Sequence, residues 1–356
     1  MSHLPPYRNA EAEAAINSNL EPRRRKAKKH PLRVGDEFTL RGPSLRSDAY
    51  PTTTSTHGES TAGNRRRSFN HFLLNLLHHG PEDEQRVLVL KKSLQSGKDE
   101  WSQVWQADVI SEGVREPVVL KLFVEALFPY AGENGGRIWR TGEDYAAAEG
   151  DSYAAFSDIQ GSVVPVCYGV YTFKLPFGET AIGILLEDLT SVARTFSDWI
   201  ARLSRDNTRR DQSHQGITPD SGSEASSIDS SELDSDEEKE NIKLEDVKRP
   251  LDGIFAALDV LHDRSRVRLR LEPTDILVDM QAPNEVDIVL IGFSQTRPRA
   301  EHEQEFEALR LERIQEFGED KMRFMSWRTA DRQRLEVAME GTLVFATVAA
   351  WKGMPE

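Results

Sequence analysis

The chain has 356 residues, of which 38% are apolar and only one is a cysteine. This single cysteine, Cys167, excludes an intrachain disulfide and a cysteine-based zinc site. No apolar run reaches the roughly 18 residues of a transmembrane helix, and the first residues lack an apolar signal core, so we expect neither feature. The composition predicts a folded body of one large or two small domains that carries disordered segments.

The formal net charge of −14 is concentrated in one acidic segment. Residues 220–240 hold nine carboxylates and one lysine. Serines lie among these acids, and both a site for acid-directed kinases and a plain solvating linker are open interpretations. Seven cations fall within residues 23–33, and the cluster Arg23–Lys29 is open to interpretation as a solvated charge run, a nuclear-import signal or a nucleic-acid contact. No aromatic residues alternate with these cations, so we do not expect nucleic-acid binding.

The first part of the chain predicts a disordered arm followed by a sheet. Residues 1–67 show no apolar period and are predicted to be disordered. Residues 68–80 predict an amphipathic helix, capped by Ser68 and ended by Gly80, that packs on the body or docks on a partner. The next segments predict five strands and one helix: strands at 86–94, 101–109 and 117–124, a helix at 145–158, and strands at 164–173 and 180–187.

The second part of the chain predicts mainly helices. A helix begins at 197–203 and leads into the polar stretch 205–246, which is too long and too charged for an ordinary loop and predicts a disordered insertion. Residues 247–263 predict a strong helix because apolar residues recur every three or four positions. Two short strands at 276–278 and 286–291 and two charged helices at 301–316 and 327–340 complete the prediction.

This order of elements, together with four local motifs, resembles the protein-kinase-like family, especially the divergent, shortened members common in fungi. The motifs are VVLKLF, AEGDSYAAF, ILLEDL and LDVLH, and the match covers about residues 86–296. The resemblance implies an α+β, two-lobe fold with a five-stranded antiparallel N-lobe, one helix beside it, and a truncated, mainly helical C-lobe. The implied divisions are a basic arm at 1–67, an N-lobe with its preceding helix at 68–187, a C-lobe at 188–300 and a charged tail at 301–356.

The resemblance implies a nucleotide site in the N-lobe. Lys121 corresponds to the lysine that holds the α- and β-phosphates, and a strand lysine that merely reaches solvent is the alternative. Glu149 corresponds to the glutamate that positions this lysine, with Glu143 as a rival, and Tyr153 four residues later would pack inward. The backbone from Glu187 to Leu189 would meet an adenine edge.

The glycine-rich loop of the resemblance is degenerate. Counting back from Val104 places its three glycine positions at Gln95, Gly97 and Ser102, so that only Gly97 is a glycine. Larger residues at the other two positions keep the backbone farther from phosphates.

The residues that should carry phosphotransfer also differ from the family pattern. Arg268 stands in the histidine position of the catalytic loop, and Arg270 replaces the aspartate that accepts or orients the acceptor hydroxyl. Asp275 replaces the metal-binding asparagine and is the one weak metal candidate. Gly292 occupies the aspartate position of the magnesium motif and offers no carboxylate.

These losses favour a catalytically impaired pseudokinase, a binding or scaffold module for a protein partner with at most weak nucleotide binding. Any ATP would be held without metal, with Arg268 and Arg270 neutralising phosphate, and we do not expect Mg²⁺. The alternative is a divergent active protein kinase that uses Asp275 as metal ligand and Glu272 as base. A third interpretation gives the function to the two charged arms. We expect an intracellular protein, cytoplasmic or nuclear, without membrane contact; the oligomeric state is left open.

Overall fold

The computed structural model describes residues 10–40, 67, 70–79, 86–132, 139–203, 205, 244–264, 266–268, 273–282 and 285–298. This part of the chain is a mixed α and β structure built around antiparallel sheets. Its α-helices are α1 (Ala10–Lys29), α2 (His71–His79), α3 (Gly142–Ala155), α4 (residues 196–203) and α5 (Leu244–Asp263).

The main sheet has six strands in the order β1-β2-β3-β4-β6-β5, and all neighbours are antiparallel. The strands are β1 (Glu37–Leu40), β2 (Arg86–Gln95), β3 (Gln103–Ser111), β4 (Val114–Phe123), β5 (Cys167–Lys174) and β6 (Thr180–Glu187). The sheet curls until its two edge strands meet, and the ring of Phe38 in β1 packs edge-on against that of Phe173 in β5 at 5.6 Å.

The two faces of the main sheet pack against different partners because side chains alternate along a strand. Leu120 and Leu122 of β4 belong to the cluster inside the curl, which α2 covers with Leu73 and Leu77. Phe123 of the same strand belongs to a second cluster with α3, α4 and α5. The second face of the main sheet therefore packs against the helices. Lys121 lies on this face.

Two small sheets follow the main one. Strands β7 (Ala193–Thr195), β9 (Ile276–Ala282) and β10 (Glu285–Leu290) form one of them, and β8 (Arg266–Arg268) pairs with β11 (Thr296–Pro298) in the other. Helix α5 packs on β10, and an added Cβ at Gly253 would approach Ile288 to 2.9 Å. Residues of α5, β9 and β10 share one hydrophobic cluster with α3 and with β4, β5 and β6, so the second half of the described chain shares a core with the main sheet.

The predicted class, mixed α and β with an antiparallel sheet, is confirmed, but the predicted strand number is wrong. The five strands predicted from the sequence all occur, within a few residues of their predicted bounds. The sixth strand is β1, which comes from the arm that we predicted to be disordered. Edge strand β1 is short, and only its Phe38 and Leu40 are buried, so it offers little apolar pattern to detect.

The prediction that residues 1–67 are disordered is wrong for the part that the structure describes. Helix α1 spans twenty of these residues, and β1 follows it. The apolar period of α1 is weak because only Leu20 and Ala27 are its buried apolar residues. Arginine side chains supply most of its remaining contacts, and these do not register in a hydrophobic pattern.

The short helix before the main sheet is present and packs on the body, as one of the two interpretations predicted. It begins at His71, and the side chain of Asn70 accepts a hydrogen bond from the Leu73 amide at 3.0 Å. The predicted cap Ser68 and the predicted end Gly80 lie outside the described residues. Phe72 of this helix is 48% exposed, whereas Leu73 and Leu77 are buried.

Several predicted segments lie outside the described residues. These are the stretch 206–243, which includes most of the predicted insertion, and the two charged helices after residue 300. Helix α5 begins at Leu244, three residues before its predicted start. No helix in the described part of the chain combines the length and apolar composition that crossing a membrane requires.

Candidate functional site

The candidate site is built on a row of residues that crosses the main sheet. Antiparallel register places Val104 of β3 opposite Lys121 of β4, and Lys121 opposite Ile184 of β6. Gln95 of β2 lies on the other side of Val104. Directly opposite residues share a face of the sheet. The row therefore brings the predicted loop position Gln95 and the predicted residues Val104 and Lys121 to one face.

Lys121 and Glu149 form a buried ion pair between β4 and α3. Lys121 Nζ lies 2.7 Å from Glu149 Oε2, and the Glu149 side chain is 0% exposed. The ring of Phe123, with its centroid 5.5 Å from the same ammonium, lies next to the pair. The second oxygen, Glu149 Oε1, is buried and accepts no hydrogen bond from the described residues. The carboxylate thus depends on Lys121 for its charge compensation.

The start of α3 decides which glutamate reaches the lysine. Thr141 caps the helix with a capping box, in which its hydroxyl accepts from the Asp144 amide at 3.1 Å and Asp144 accepts from the Thr141 amide at 3.0 Å. Glu143 then falls in the exposed first turn, and Glu149 falls on the buried face. The structure therefore places Glu149, and not its rival Glu143, beside Lys121.

The loop between β2 and β3 is fastened by a side chain that sequence reasoning did not single out. Gln103 Oε1 accepts from the Gly97 amide at 2.8 Å, and Gln103 Nε2 donates to the Gly97 carbonyl at 2.9 Å. Gln95 donates to Glu100 at 2.8 Å, and Ser102 is buried. Both backbone groups of the one remaining loop glycine are therefore already bonded within the protein.

The predicted adenine-facing segment lies at the end of β6 and is also bonded internally. The Glu187 amide donates to the Val166 carbonyl at 2.9 Å, and its carboxylate accepts from Nε and Nη2 of Arg67 at 2.9 and 3.2 Å. The Leu189 carbonyl accepts from the Ala193 amide at 2.8 Å, and the Leu189 side chain is buried. Arg67 was missed because it lies 120 positions from Glu187 and no local pattern marks it.

The segment after β10 places an aromatic ring on α3. The ring centroid of Phe293 lies 5.3 Å from that of Tyr153 and 5.2 Å from that of Phe156, and all three side chains are fully buried. Tyr153 packs inward, as predicted. Gly292, directly before Phe293, has φ +78°, a conformation that favours glycine. Gly292, which the resemblance matches to the aspartate of the magnesium motif, thus directly precedes the ring that packs against α3.

Of the remaining predicted residues, only Asp275 lies near Gly292 in the described part of the chain. The Asp275 carbonyl accepts from the Ile291 amide at 2.9 Å, which brings Asp275 beside Gly292 along the backbone. Arg268 lies in β8 opposite Thr296. Arg270 lies outside the described residues. Among the described residues, no group of three or more His, Cys, Asp or Glu side chains is arranged to hold a metal ion.

Cys167 lies close enough to this site to sense its charge. Burial, with a smaller contribution from the Glu149 charge, raises the pKa of the Cys167 thiol from 9.0 to about 12. Its amide donates to Gln160 Oε1 at 2.9 Å. The thiol therefore stays protonated in the folded protein at pH values where an unfolded chain has lost the proton.

We expect the free energy of unfolding to fall as pH rises above 9, by about 1.4 kcal/mol per pH unit from this one thiol. The unfolded state gives up the proton near pH 9 and the folded state keeps it until about pH 12. Urea denaturation at pH 8, 9.5 and 10 measures the slope. Cys167→Ala should show a shallower slope than the natural chain, and equal slopes would contradict the prediction. Burial also raises the pKa of Tyr168, but Tyr168 contributes equally to the slopes of the natural chain and of Cys167→Ala. The difference between the two slopes therefore reports on Cys167.

No protein-family model matches the chain, and a search of curated proteins finds no match. The relation to protein-kinase-like sequences is therefore a proposal, supported by the motifs and by the contacts between β4, α3 and the Phe293 segment.

Proposed function

We propose that the chain is a protein-kinase-like module that has lost phosphotransfer and acts as a binding or scaffold module for a protein partner. Nucleotide binding would be at most weak and independent of metal. The Lys121–Glu149 pair, at 2.7 Å between strand and helix, supports the family resemblance.

The observation that carries the loss of phosphotransfer is Gly292. A hard cation that bridges two phosphates needs anionic oxygen ligands, and glycine supplies none. The φ of +78° at Gly292 is also one that side chains adopt only at a cost of about 1 kcal/mol or more. Gly292 is thus matched to its backbone conformation, and the loss of the carboxylate rests on the residue type alone.

Two further features support the same conclusion. Arg270 stands where the family has its aspartate, and a guanidinium stays protonated at any working pH, so it cannot accept a proton. The Gly97 amide, which would have to face a phosphate, donates instead to Gln103. Base, metal ligand and phosphate loop have separate roles, so the three losses reduce phosphotransfer independently.

The second candidate is a divergent active phosphotransferase, and one observation favours it. The buried Lys121–Glu149 pair is the part of the site on which phosphate positioning depends in active kinases, and it is in place here. Asp275, beside Gly292 through the bond between its carbonyl and the Ile291 amide, would then be the metal ligand.

Transfer of radiolabelled γ-phosphate distinguishes the two candidates. We expect the full chain, supplied with ATP, Mg²⁺ and acceptor proteins, to give no incorporation above a blank without protein. Lys121→Arg keeps the positive charge but changes its geometry, and Asp275→Ala removes the candidate metal carboxylate; they serve as the two test variants. Incorporation by the natural chain that both variants lose would contradict the proposal and establish the active enzyme.

A further inference from the structure

We infer that α1 is a built-in positioning helix, which by docking on the turn after β4 fixes the first turn of α3, the β2–β3 loop and, through them, the Lys121–Glu149 pair. This turn is the 3₁₀ segment Glu125–Leu127 and its continuation to Ala131. The device goes beyond the proposed function, because it would act in the same way in an active enzyme and in an inactive module.

Arg23 links α1 to the residue that starts α3. Its Nη1 donates to Glu125 Oε2 at 2.9 Å, while Nε and Nη2 donate to the two oxygens of Glu179 at 3.0 Å each. The other oxygen of the same glutamate, Glu125 Oε1, accepts from the amide of Gly142 at 2.8 Å. One carboxylate therefore joins α1 to the first residue of α3. Charge-assisted, forked contacts of this kind are among the stronger hydrogen bonds in proteins.

Arg24 links α1 to the β2–β3 loop. Its guanidinium stacks 3.5 Å from the ring centroid of Tyr130 and donates to the Phe128 carbonyl. Arg24 Nη1 also lies 3.9 Å from Asp99 Oδ1 in the loop, and the Asp99 amide donates to the Leu127 carbonyl at 2.8 Å. The loop and α1 therefore meet on the same turn.

The other inward contacts of α1 reach the same short segment. Asn17 accepts from the Ala131 amide at 2.8 Å and donates to its carbonyl at 3.0 Å. Glu21 accepts from the Tyr130 hydroxyl at 2.8 Å, which lowers the pKa of Glu21. Contacts spread over two turns of α1 thus reach the seven residues after β4, and Arg23 and Arg24 add contacts to Glu179 and Asp99. Because they are largely polar, salt weakens them more than it weakens a hydrophobic core.

The position of the first turn of α3 determines where Glu149, later in the same helix, lies relative to Lys121. Gly142 lies so close to β4 that an added Cβ would come within 2.9 Å of the Phe123 carbonyl oxygen. Glu149 follows two helical turns later, and a helix of this length moves as one piece. Its carboxylate is buried and 2.7 Å from Lys121, so a displaced α3 would lengthen or break that contact.

Hydrogen exchange of the full chain tests this role, comparing Arg23→Ala with Arg25→Ala. Arg25 is the matched control because it is 75% exposed and its ion pair is with Glu21 of the same helix. We expect Arg23→Ala to raise exchange roughly tenfold or more at residues 142–145 and 96–100, as loss of a charge-assisted contact predicts. Arg25→Ala should leave these amides unchanged, and α5 should be unchanged in both variants.

A salt titration of the natural chain gives the same test without a variant. Raising NaCl to about 1 M shortens the screening length to roughly 3 Å, so exchange at 142–145 should rise while exchange in α5 does not. Faster exchange confined to α1 would overturn the inference, because it would show that α1 does not position α3. An equal rise throughout the chain would overturn it as well, since it would show general destabilisation.

Discussion

Lys121→Met should lower the free energy of unfolding by about 3–5 kcal/mol, the range found when one member of a buried ion pair is removed. Glu149 is 0% exposed, and its Oε1 accepts no hydrogen bond from the described residues. The substitution therefore leaves a buried carboxylate without a cation to compensate its charge. The cost comes from the uncompensated carboxylate, because methionine fills nearly the same volume as lysine. Urea denaturation followed by circular dichroism measures the change.

Two controls separate this charge effect from a packing effect. The double variant Lys121→Met/Glu149→Met removes both charges and should recover most of the loss, since a buried pair contributes little net stability over apolar residues. Lys91→Met removes a lysine that is 46% exposed and 3.2 Å from Asp108, and should cost less than about 1 kcal/mol. A loss below that value for Lys121→Met would show that the pair is hydrated and would contradict its role in holding α3.

Phe293→Ala should cost about 3–5 kcal/mol, the usual range for removing a buried phenylalanine ring. The ring is fully buried between Tyr153 of α3 and Phe156, which directly follows α3, with centroid distances of 5.3 and 5.2 Å, so the substitution leaves a cavity under the helix. Thermal and urea denaturation both measure the change. The effect matters for the site because this ring joins the Gly292 segment to the helix that carries Glu149.

Phe293→Leu and Phe72→Ala are the matched controls for the cavity. Leucine keeps much of the apolar volume, so we expect a clearly smaller loss than for alanine. Phe72 is 48% exposed, and its replacement should change stability by no more than about 0.5 kcal/mol. A cost for Phe293→Ala as small as that of Phe72→Ala would mean that the ring does not connect the two elements.

The main sheet could be predicted because its strands carry their own pattern. Every second residue of β3 is buried, so the period of two is visible in the sequence. Helix α5 was equally predictable, since Leu251, Ile254, Leu258 and Leu261 line one face. In both cases the pattern of buried apolar residues lies within the element itself, so the sequence of that segment is enough to predict it.

Helix α1 could not be predicted because its docking depends on distant charges. Arg23 finds Glu125 and Glu179 more than 100 positions away, and a basic run gives no sign of such partners. The same limit applies to the site. The motifs VVLKLF and AEGDSYAAF pointed to Lys121 and Glu149, whereas Gln103 and Arg67 act through backbone groups of other segments and have no motif of their own.

Titration of the full chain with ATP by calorimetry, once with Mg²⁺ and once with a chelator, tests the central claim most directly. The absence of a metal carboxylate at Gly292 and the bonded Gly97 amide predict weak binding at most, with the same affinity in both buffers. An affinity that rises tenfold or more with Mg²⁺, about 1.4 kcal/mol, would contradict the proposal. It would show that a working metal site exists in the chain and favour the active phosphotransferase.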